Sequence, residues 1–370
     1  MSLSVFIVFV GGIIGEKLTP IKSLSTLPVA LSVVGTAFSV IPVIRLMALY
    51  GRRKIFLCAC IYTFALSIVG IVSLVVSSFV LFCLISFAFG ATFATMYQFR
   101  FAAIESVDVD QRASATAVVL LGGILSAYLG TEVATLGRNW FQTEFVGSFL
   151  LLDLLFVVAF LLLSMFVPAK KFNPDKGHSK RKLSEIMTQG VFLVAVSSAI
   201  TGYVVMSFVM TATPVSMHVM DGFTLEQTKY VIQSHVFAMF LPSLFTAVIV
   251  KHTGISRMML MGVIILIFAI IVAYQGHDLV HYWFSLILLG LGWNFLFVGG
   301  TSLLPRAYSE NEKYKVQSLN DFLTFGFQAT AALCAGWFVF NYSWELTLLS
   351  VLPILVLQLV LLLWWIKRDA

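Results

Sequence analysis

Long apolar runs, separated by short polar breaks, follow one another along almost the whole chain. Most runs are about 20 residues long, the length that an α-helix needs to cross a bilayer. Backbone amides inside a membrane must be hydrogen-bonded within their own segment, so continuous runs predict helices and not a β-barrel. The runs fall at about 3–15, 26–48, 55–76, 79–103, 113–136, 146–167, 187–212, 228–250, 257–274, 281–303, 316–339 and 345–366.

The pattern therefore predicts an all-α membrane protein with about twelve transmembrane helices, in two sets of six. Between the sets lies the longest polar stretch, "AKKFNPDKGHSKRKLSE" at 169–185, which carries six cations and is typical of a solvated linker. We predict an N-terminal six-helix bundle at 1–167, a linker at 168–186 and a C-terminal six-helix bundle at 187–370. The composition agrees, with 60% hydrophobic and only 11% charged residues.

The loops alternate in charge. If the first helix runs outward, 19 of the 23 lysines and arginines lie on one side of the membrane. The positive-inside rule places that side in the cytoplasm, together with both termini. The net charge of +6 has the same origin and does not indicate nucleic-acid binding.

The two halves are similar to each other in spacing. "YGRRKIFLCACIYTFALSIVGIV" (50–72) matches "TGISRMMLMGVIILIFAIIVAYQ" (253–275), with Gly254 standing 203 positions after Gly51. Gly90 and Gly292 pair at an offset of 202. Two similar six-helix halves are typical of transporters built from parallel repeats.

Two six-helix halves, a basic central loop and the turn Gly51-Arg52-Arg53 between helices 2 and 3 resemble the major facilitator superfamily over the whole chain. The family's loop motif is Gly-x-x-x-Asp-Arg-x-Gly-Arg-Arg/Lys. This sequence departs from it, since Ile44, Ala48 and Leu49 replace the first glycine, the aspartate and the first arginine. Segments such as "QFRFAAIESV" and "KVQSLNDFLTFG" resemble a group of uncharacterised bacterial members.

The resemblance implies a multi-pass protein of the bacterial inner membrane. It would act as a secondary active transporter that moves a small organic solute by alternating access, and we expect it to be monomeric and proton-coupled. The alternatives are a multidrug-type efflux carrier, a non-transporting membrane sensor that retains the fold, and a membrane-embedded transferase. The sequence contains no enzyme, phosphate-loop or metal-ligand signature, so we expect no catalytic residue, cofactor or metal.

Polar residues inside membrane helices are expensive and are treated first as functional candidates. At the inner end of helix 4, Tyr97 and Phe101 share a face with Gln98 beside it, and Arg100 can bind a carboxylate or phosphate in bidentate fashion. The alternative for Arg100 is a side chain that snorkels to the headgroups. The resemblance places helices 1, 4, 7 and 10 around the cavity, which adds Trp293, Asn294 and Thr211 as candidate ligand contacts. For Asn294 the alternative is helix–helix hydrogen bonding. Pro214 is expected to break helix 7 near Thr211.

Four residues are candidates for proton coupling: Asp321, His235, Glu132 and Asp153. Asp321 and its neighbour Asn320 open helix 11, and Val118 stands at the equivalent position of the first half, so this carboxylate does not belong to the repeated scaffold. The alternative for Asp321 is a gate ion pair with Arg306 or Arg100. For His235 it is a hydrogen-bonded packing role, although histidine titrates in a range that suits proton coupling.

The first helix is short. Leu3 to Gly15 span roughly 20 Å of a roughly 30 Å hydrocarbon core. We expect the chain to be truncated at its amino end, with an opening among helices 1, 5 and 6, and the alternative is a genuine half-helix.

Overall fold

The computed structural model describes residues 1–99, 102–103, 106, 112–166, 181–309 and 312–369. These residues form α-helices joined by short turns, with no β-strand among them. The described residues before 190 contain seven α-helices. They are α1 (Ser2–Leu18), α2 (Leu27–Tyr50), α3 (Arg52–Val75), α4 (Phe79–Met96), α5 (Arg112–Leu136), α6 (Val146–Ser164) and the short α7 (Leu183–Met187).

From residue 190 onward the structure describes eight α-helices, two of which continue a helix across a short break. They are α8 (Gly190–Val215), α9 (Leu225–Phe240), α10 (Thr246–Thr253), α11 (Ile255–Tyr274), α12 (Leu279–Leu303), α13 (Lys313–Asn341), α14 (Trp344–Leu349) and α15 (Leu352–Asp369). The predicted all-helical membrane fold is confirmed. Within the described residues nine helices are long and apolar enough to cross a membrane.

The predicted helices 1, 5 and 8 are not among those nine. In the first set, α1 has only 17 residues, and the apolar part found in α5 is Leu121–Leu136. Helix 8 was expected to be continuous but is interrupted, because α9 ends at Phe240 and a 3-10 turn at Leu241–Leu244 precedes α10. Pro242 lies in that turn, where its missing N–H and its ring are incompatible with a regular helix.

Pro214 does not end helix 7, which is a correction to the sequence-based expectation. The α-helix continues to Val215 and then widens into a π-helical turn at Ser216–Met220, where the Asp221 amide donates to the Ser216 carbonyl at 2.9 Å. A proline removes one intrahelical donor, and the wider turn directly after it accommodates the change.

The chain divides into two compact units. The first comprises Met1–Pro174 together with Thr211–Lys229, and the second comprises Asp175–Met210 together with Tyr230–Ala370. In the first unit α2 packs on α4 and α3 on α6. In the second, α11 packs on both α12 and α15. Since α3 and α6 are helices 3 and 6, and α11 and α15 are helices 9 and 12, the same helix pairing occurs in both halves.

Two glycines carry the internal repeat into the backbone. Gly51 links α2 to α3 at φ 87° and ψ 150°, and Gly254 links α10 to α11 at φ 80° and ψ 157°. Both lie in the left-handed region that side chains disfavour. The second predicted pair, Gly90 and Gly292, does not make equivalent contacts. Gly90 packs against the backbone of α2, and the glycine that packs against α9 in the second half is Gly290. Gly292 packs against α11 instead.

An apolar cavity of about 330 Å³ lies beside the first residues of α1. Its lining includes Met1 and Ser2 of α1, Phe99 after α4, Leu125 of α5 and Leu163 of α6. Helices 1, 5 and 6 are the three helices among which the sequence predicts an opening.

Candidate functional site

An aromatic cluster in the second unit surrounds one tyrosine. The ring of Tyr203 on α8 lies edge-on to Trp293 and Phe297 on α12, with centroids 5.2 and 5.1 Å away. It also lies edge-on to Phe325 on α13, at 5.7 Å. Trp293 and Phe297 stack on each other one turn apart, with an interplanar angle of 18°. We call these four side chains the Tyr203 cluster.

Polar groups without partners accompany this cluster. The Trp293 indole Nε1, the Thr324 hydroxyl and the Gln328 amide oxygen are buried and have no hydrogen-bond partner among the described residues. Thr324, Phe325 and Gln328 lie on one face of α13, because residues three and four apart are neighbours on a helix. Buried polar atoms normally find a partner, so a group of unused ones is unusual.

The sequence identified Trp293 but missed the rest of this group. Phe297 follows Trp293 by one helical turn, and Phe325 and Gln328 follow Asp321 by four and seven positions. That spacing was the available signal for them. Nothing in the sequence distinguishes Tyr203 from the other aromatic residues of its helix.

Asn294 stands next to Trp293 but belongs to a different arrangement. Its amide nitrogen donates to the Met239 carbonyl at 2.7 Å and also contacts the Ser243 hydroxyl. Met239 is the last residue but one of α9. It therefore lies directly before the 3-10 turn that separates α9 from α10, the two parts of predicted helix 8. In this structure Asn294 supports that break, which is the alternative that the sequence left open.

His235 is also held inside the second unit. Its ring is fully buried, and Nδ1 lies 2.8 Å from the Leu286 carbonyl of α12. Nε2 has no partner in the described part of the chain. On α13, the Asn320 amide donates to the Asp321 carboxylate at 3.1 Å.

In the first unit, Glu132 on α5 lies 3.1 Å from Lys229 at the start of α9, and Glu226 lies 2.6 Å from the same ammonium group. The next cationic residue of the chain after Glu132 is Arg138. Arg138 instead pairs with Glu144 at 2.8 Å, and Lys17 at the end of α1 reaches the same carboxylate at 2.6 Å. Of these four ion pairs, one joins α5 to the start of α9 and another joins α1 to the segment after α5.

Asp153, the remaining coupling candidate, is buried on α6. Its Oδ1 has no partner among the described residues, and its carboxyl interacts with the Ser67 hydroxyl of α3. Thr211, also grouped with the first unit, is buried near the C-terminal end of α8.

The loop motif connects three helices of the first unit. Arg52 lies 3.5 Å from the amide oxygen of Gln98, and Arg53 donates to the Ser164 carbonyl at the end of α6. Tyr97, half-buried, ends α4 beside Gln98. Arg100 and Phe101 lie outside the described residues. Gln98 thus contacts the motif that lacks the family's aspartate.

An ion pair in the second unit joins Arg181 to Glu312. Arg181 is the first described residue of the predicted linker, and Glu312 directly precedes α13. Arg181 donates to Glu312 through Nε at 2.8 Å and through a second guanidinium nitrogen, and the Ser309 amide donates to the same carboxylate at 2.9 Å. These hydrogen bonds from Arg181, aided by Ser309, hold the pKa of Glu312 well below its usual range.

No group of three histidine, cysteine, aspartate or glutamate side chains in the described ranges could hold a metal ion. The buried aromatic and amide groups of the second unit can bind a small molecule by stacking and hydrogen bonding.

Comparison with known proteins assigns the family. The model of the Major Facilitator Superfamily matches residues 1–320. The riboflavin transporter RfnT of Brucella anthropi is 33% identical over 357 residues, which cover 96% of this chain and 89% of the relative.

Two further relatives come from Bacillus subtilis, the uncharacterized MFS-type transporters YdeG and YddS. They are 28% and 26% identical and cover 95% and 97% of this chain and 86% of each relative. All three matches span nearly the whole sequence. The chain belongs to the Major Facilitator Superfamily and is a multi-pass membrane transporter of a small molecule.

Proposed function

We propose that this protein carries riboflavin or a closely similar flavin across the bacterial inner membrane. The observation that carries the proposal is the 33% identity to a riboflavin transporter over 96% of the chain. The Tyr203 cluster supports it, because a flavin is a flat heteroaromatic ring with hydrogen-bonding edges. Aromatic side chains favour stacked or edge-to-face contacts with such rings.

Transport would proceed by alternating access. The division into units supports this, since the outer part of α8 and the start of α9 group with the N-terminal helices, while the rest of both helices groups with the C-terminal half. The Glu132–Lys229 pair joins that segment to α5. We propose that it is made and broken once in each transport cycle.

The coupling ion is proposed to be the proton. Asp321 and Asp153 are the groups that we propose to load it, because both carboxyls lie on helices within the predicted membrane region. His235 and Glu132 are secondary candidates, the first being fully buried and the second paired with Lys229. The protein would function as a monomer.

The termini and the central linker are proposed to be cytoplasmic, from the distribution of lysine and arginine. A cysteine at position 176 should resist a membrane-impermeant thiol reagent added to intact cells, whereas one at the exposed Lys22 should react. Labelling of position 176 from outside would reverse the topology.

A bacterial riboflavin auxotroph tests the function. Cells that express the protein should grow on a riboflavin concentration too low for cells with the empty vector, and their uptake of labelled riboflavin should fall when a protonophore is added. Growth equal to the empty vector, with the protein present in the membrane, would contradict riboflavin uptake. Loss of labelled riboflavin from preloaded cells would indicate efflux instead.

A further inference from the structure

We infer that the Tyr203 cluster, together with the unpaired polar groups of Trp293, Thr324 and Gln328, forms the binding site for the flat ring of the transported solute. We call this site the seat. The inference rests on the proposed flavin transport and deepens it by assigning the residues. All of the residues belong to the second unit, on α8, α12 and α13.

The first argument is the shape of the cluster. Trp293 and Phe297 stack face to face along α12, with centroids 5.1 Å apart, and we call this stacked pair of rings the wall. Tyr203 lies edge-on to the wall, and Phe325 lies edge-on to Tyr203. Tyr203, Trp293 and Phe325 are 4%, 3% and 5% exposed and Phe297 is half-buried, so most of the cluster is shielded from solvent. A flat apolar ring can stack here without exposure to water, and each such contact in known systems contributes about 1–3 kcal/mol.

The second argument is the unused hydrogen-bonding capacity. Trp293, Thr324 and Gln328 are 3%, 2% and 8% exposed, yet each has a polar atom without a partner in the described chain. An unsatisfied buried polar group costs about 1–3 kcal/mol. One such group lies inside the Tyr203 cluster and two lie within one turn of Phe325 on α13, which indicates a ligand that supplies the missing partners.

The two kinds of group match a particular ring chemistry. An indole N–H only donates, a hydroxyl donates or accepts, and a glutamine amide does both. A flavin ring carries an imide edge, with one N–H between two carbonyls, and further acceptor nitrogens. We assign the Gln328 amide to the imide N–H and the Trp293 N–H to a ring acceptor.

Two other buried indoles, Trp344 and Trp365, also have an unpaired Nε1. They stand near the two ends of the α14–α15 segment, away in sequence from Thr324 and Gln328. They therefore provide matched controls: the same loss of an indole N–H, outside the proposed seat.

The test is a binding titration on the purified full-length protein, followed by the quenching of flavin fluorescence. Trp293→Phe keeps an aromatic ring and removes only the N–H, and Gln328→Leu removes the amide at similar length. Each should raise the Kd for riboflavin about tenfold, the loss expected for one hydrogen bond of about 1.4 kcal/mol. Trp344→Phe should leave the Kd unchanged.

A ring methylated at the imide nitrogen probes the assigned partner. It should bind wild-type protein about tenfold more weakly than the unmethylated ring, and the difference should vanish in Gln328→Leu. Ribitol, which carries only the side chain of riboflavin, should not compete. Equal binding of both rings to the wild-type protein would overturn the role of Gln328. Thr324→Val is a second, smaller substitution in which the methylated and unmethylated rings can be compared.

The outcomes separate the two levels of the proposal. If wild-type protein binds and transports riboflavin but Trp293→Phe and Gln328→Leu do so equally well, the seat is wrong and the proposed function stands. If wild-type protein neither binds nor transports riboflavin, the proposed function is wrong and the flavin seat with it. Thermal unfolding of each variant identifies any loss that comes from misfolding.

Discussion

Neighbouring residues on α12 have different tasks. Trp293, inside the Tyr203 cluster, carries an N–H that has no partner in the described residues, whereas the Asn294 amide donates to Met239 next to the break between α9 and α10. Hydrogen-bonding geometry separates them, although in the sequence they are equally good ligand candidates.

Asn294→Leu should destabilise the protein by about 1 kcal/mol, because it removes the hydrogen bond from the buried Asn294 amide to the half-buried Met239 carbonyl. Thermal unfolding of the purified protein measures this. Gln328→Leu is the matched control, since it removes a buried amide whose oxygen has no partner in the described residues, and it should destabilise less. Equal losses in the two variants would contradict the assigned difference.

The Arg181–Glu312 pair predicts a pH dependence of stability in the second unit. The folded-state pKa of Glu312 is lowered, mainly by the hydrogen bonds from Arg181, so its contribution is present above the unfolded-state pKa and is lost as pH falls through the folded-state value. The melting temperature of the wild-type protein should therefore fall on acidification below about pH 4.5.

Glu312→Gln has no carboxylate to protonate, so it should lack the fall in melting temperature that protonation of Glu312 causes in the wild type. The difference in melting temperature between wild type and variant should therefore shrink as pH falls. Glu226→Gln is a control, because Glu226 is exposed and belongs to the other unit. A constant difference between wild type and Glu312→Gln across the acid range would contradict the account.

At the scale of elements, the outer segment formed by residues 211–229 groups with the N-terminal helices. Its described ion pair with α5 joins Glu132 to Lys229, whose side chains are 20% and 14% exposed. A partly buried pair of this kind stabilises the arrangement that contains it, and removing one partner leaves a charge uncompensated.

Lys229→Met should therefore favour release of the outer segment. A cysteine at the buried Ser216, in a background in which the native cysteines are replaced by serine, should react faster with a membrane-impermeant thiol reagent when Lys229 is also replaced. Exchanging the charges with Glu132→Lys and Lys229→Glu should restore the slow rate. Equal rates in all three backgrounds would show that the pair does not hold this segment.

The sequence predicted elements better than it predicted contacts. The sequence predicts Gly51 and Gly254 as repeat partners because a turn with positive φ leaves a local signal. That signal is a glycine directly before a helix that begins near basic residues. The Glu132–Lys229 pair joins residues about 100 positions apart and leaves no such signal. Pro242 marked the break of helix 8, but an apolar run of the right length concealed it.

At the scale of the whole molecule, the repeat and the family explain the architecture, and we propose that a few side chains select the substrate. Both halves pair their third helix with their sixth, but the Tyr203 cluster and its unpaired polar groups belong to the second unit.

The central claim is tested most directly by riboflavin exchange in proteoliposomes. Purified protein is reconstituted with unlabelled riboflavin inside, and labelled riboflavin is added outside. The account predicts saturable accumulation of label that a ring-only flavin inhibits, that Trp293→Phe reduces about tenfold at limiting concentration, and that Trp344→Phe leaves unchanged. Accumulation no greater than in protein-free liposomes, from protein that is folded and correctly reconstituted, would contradict it.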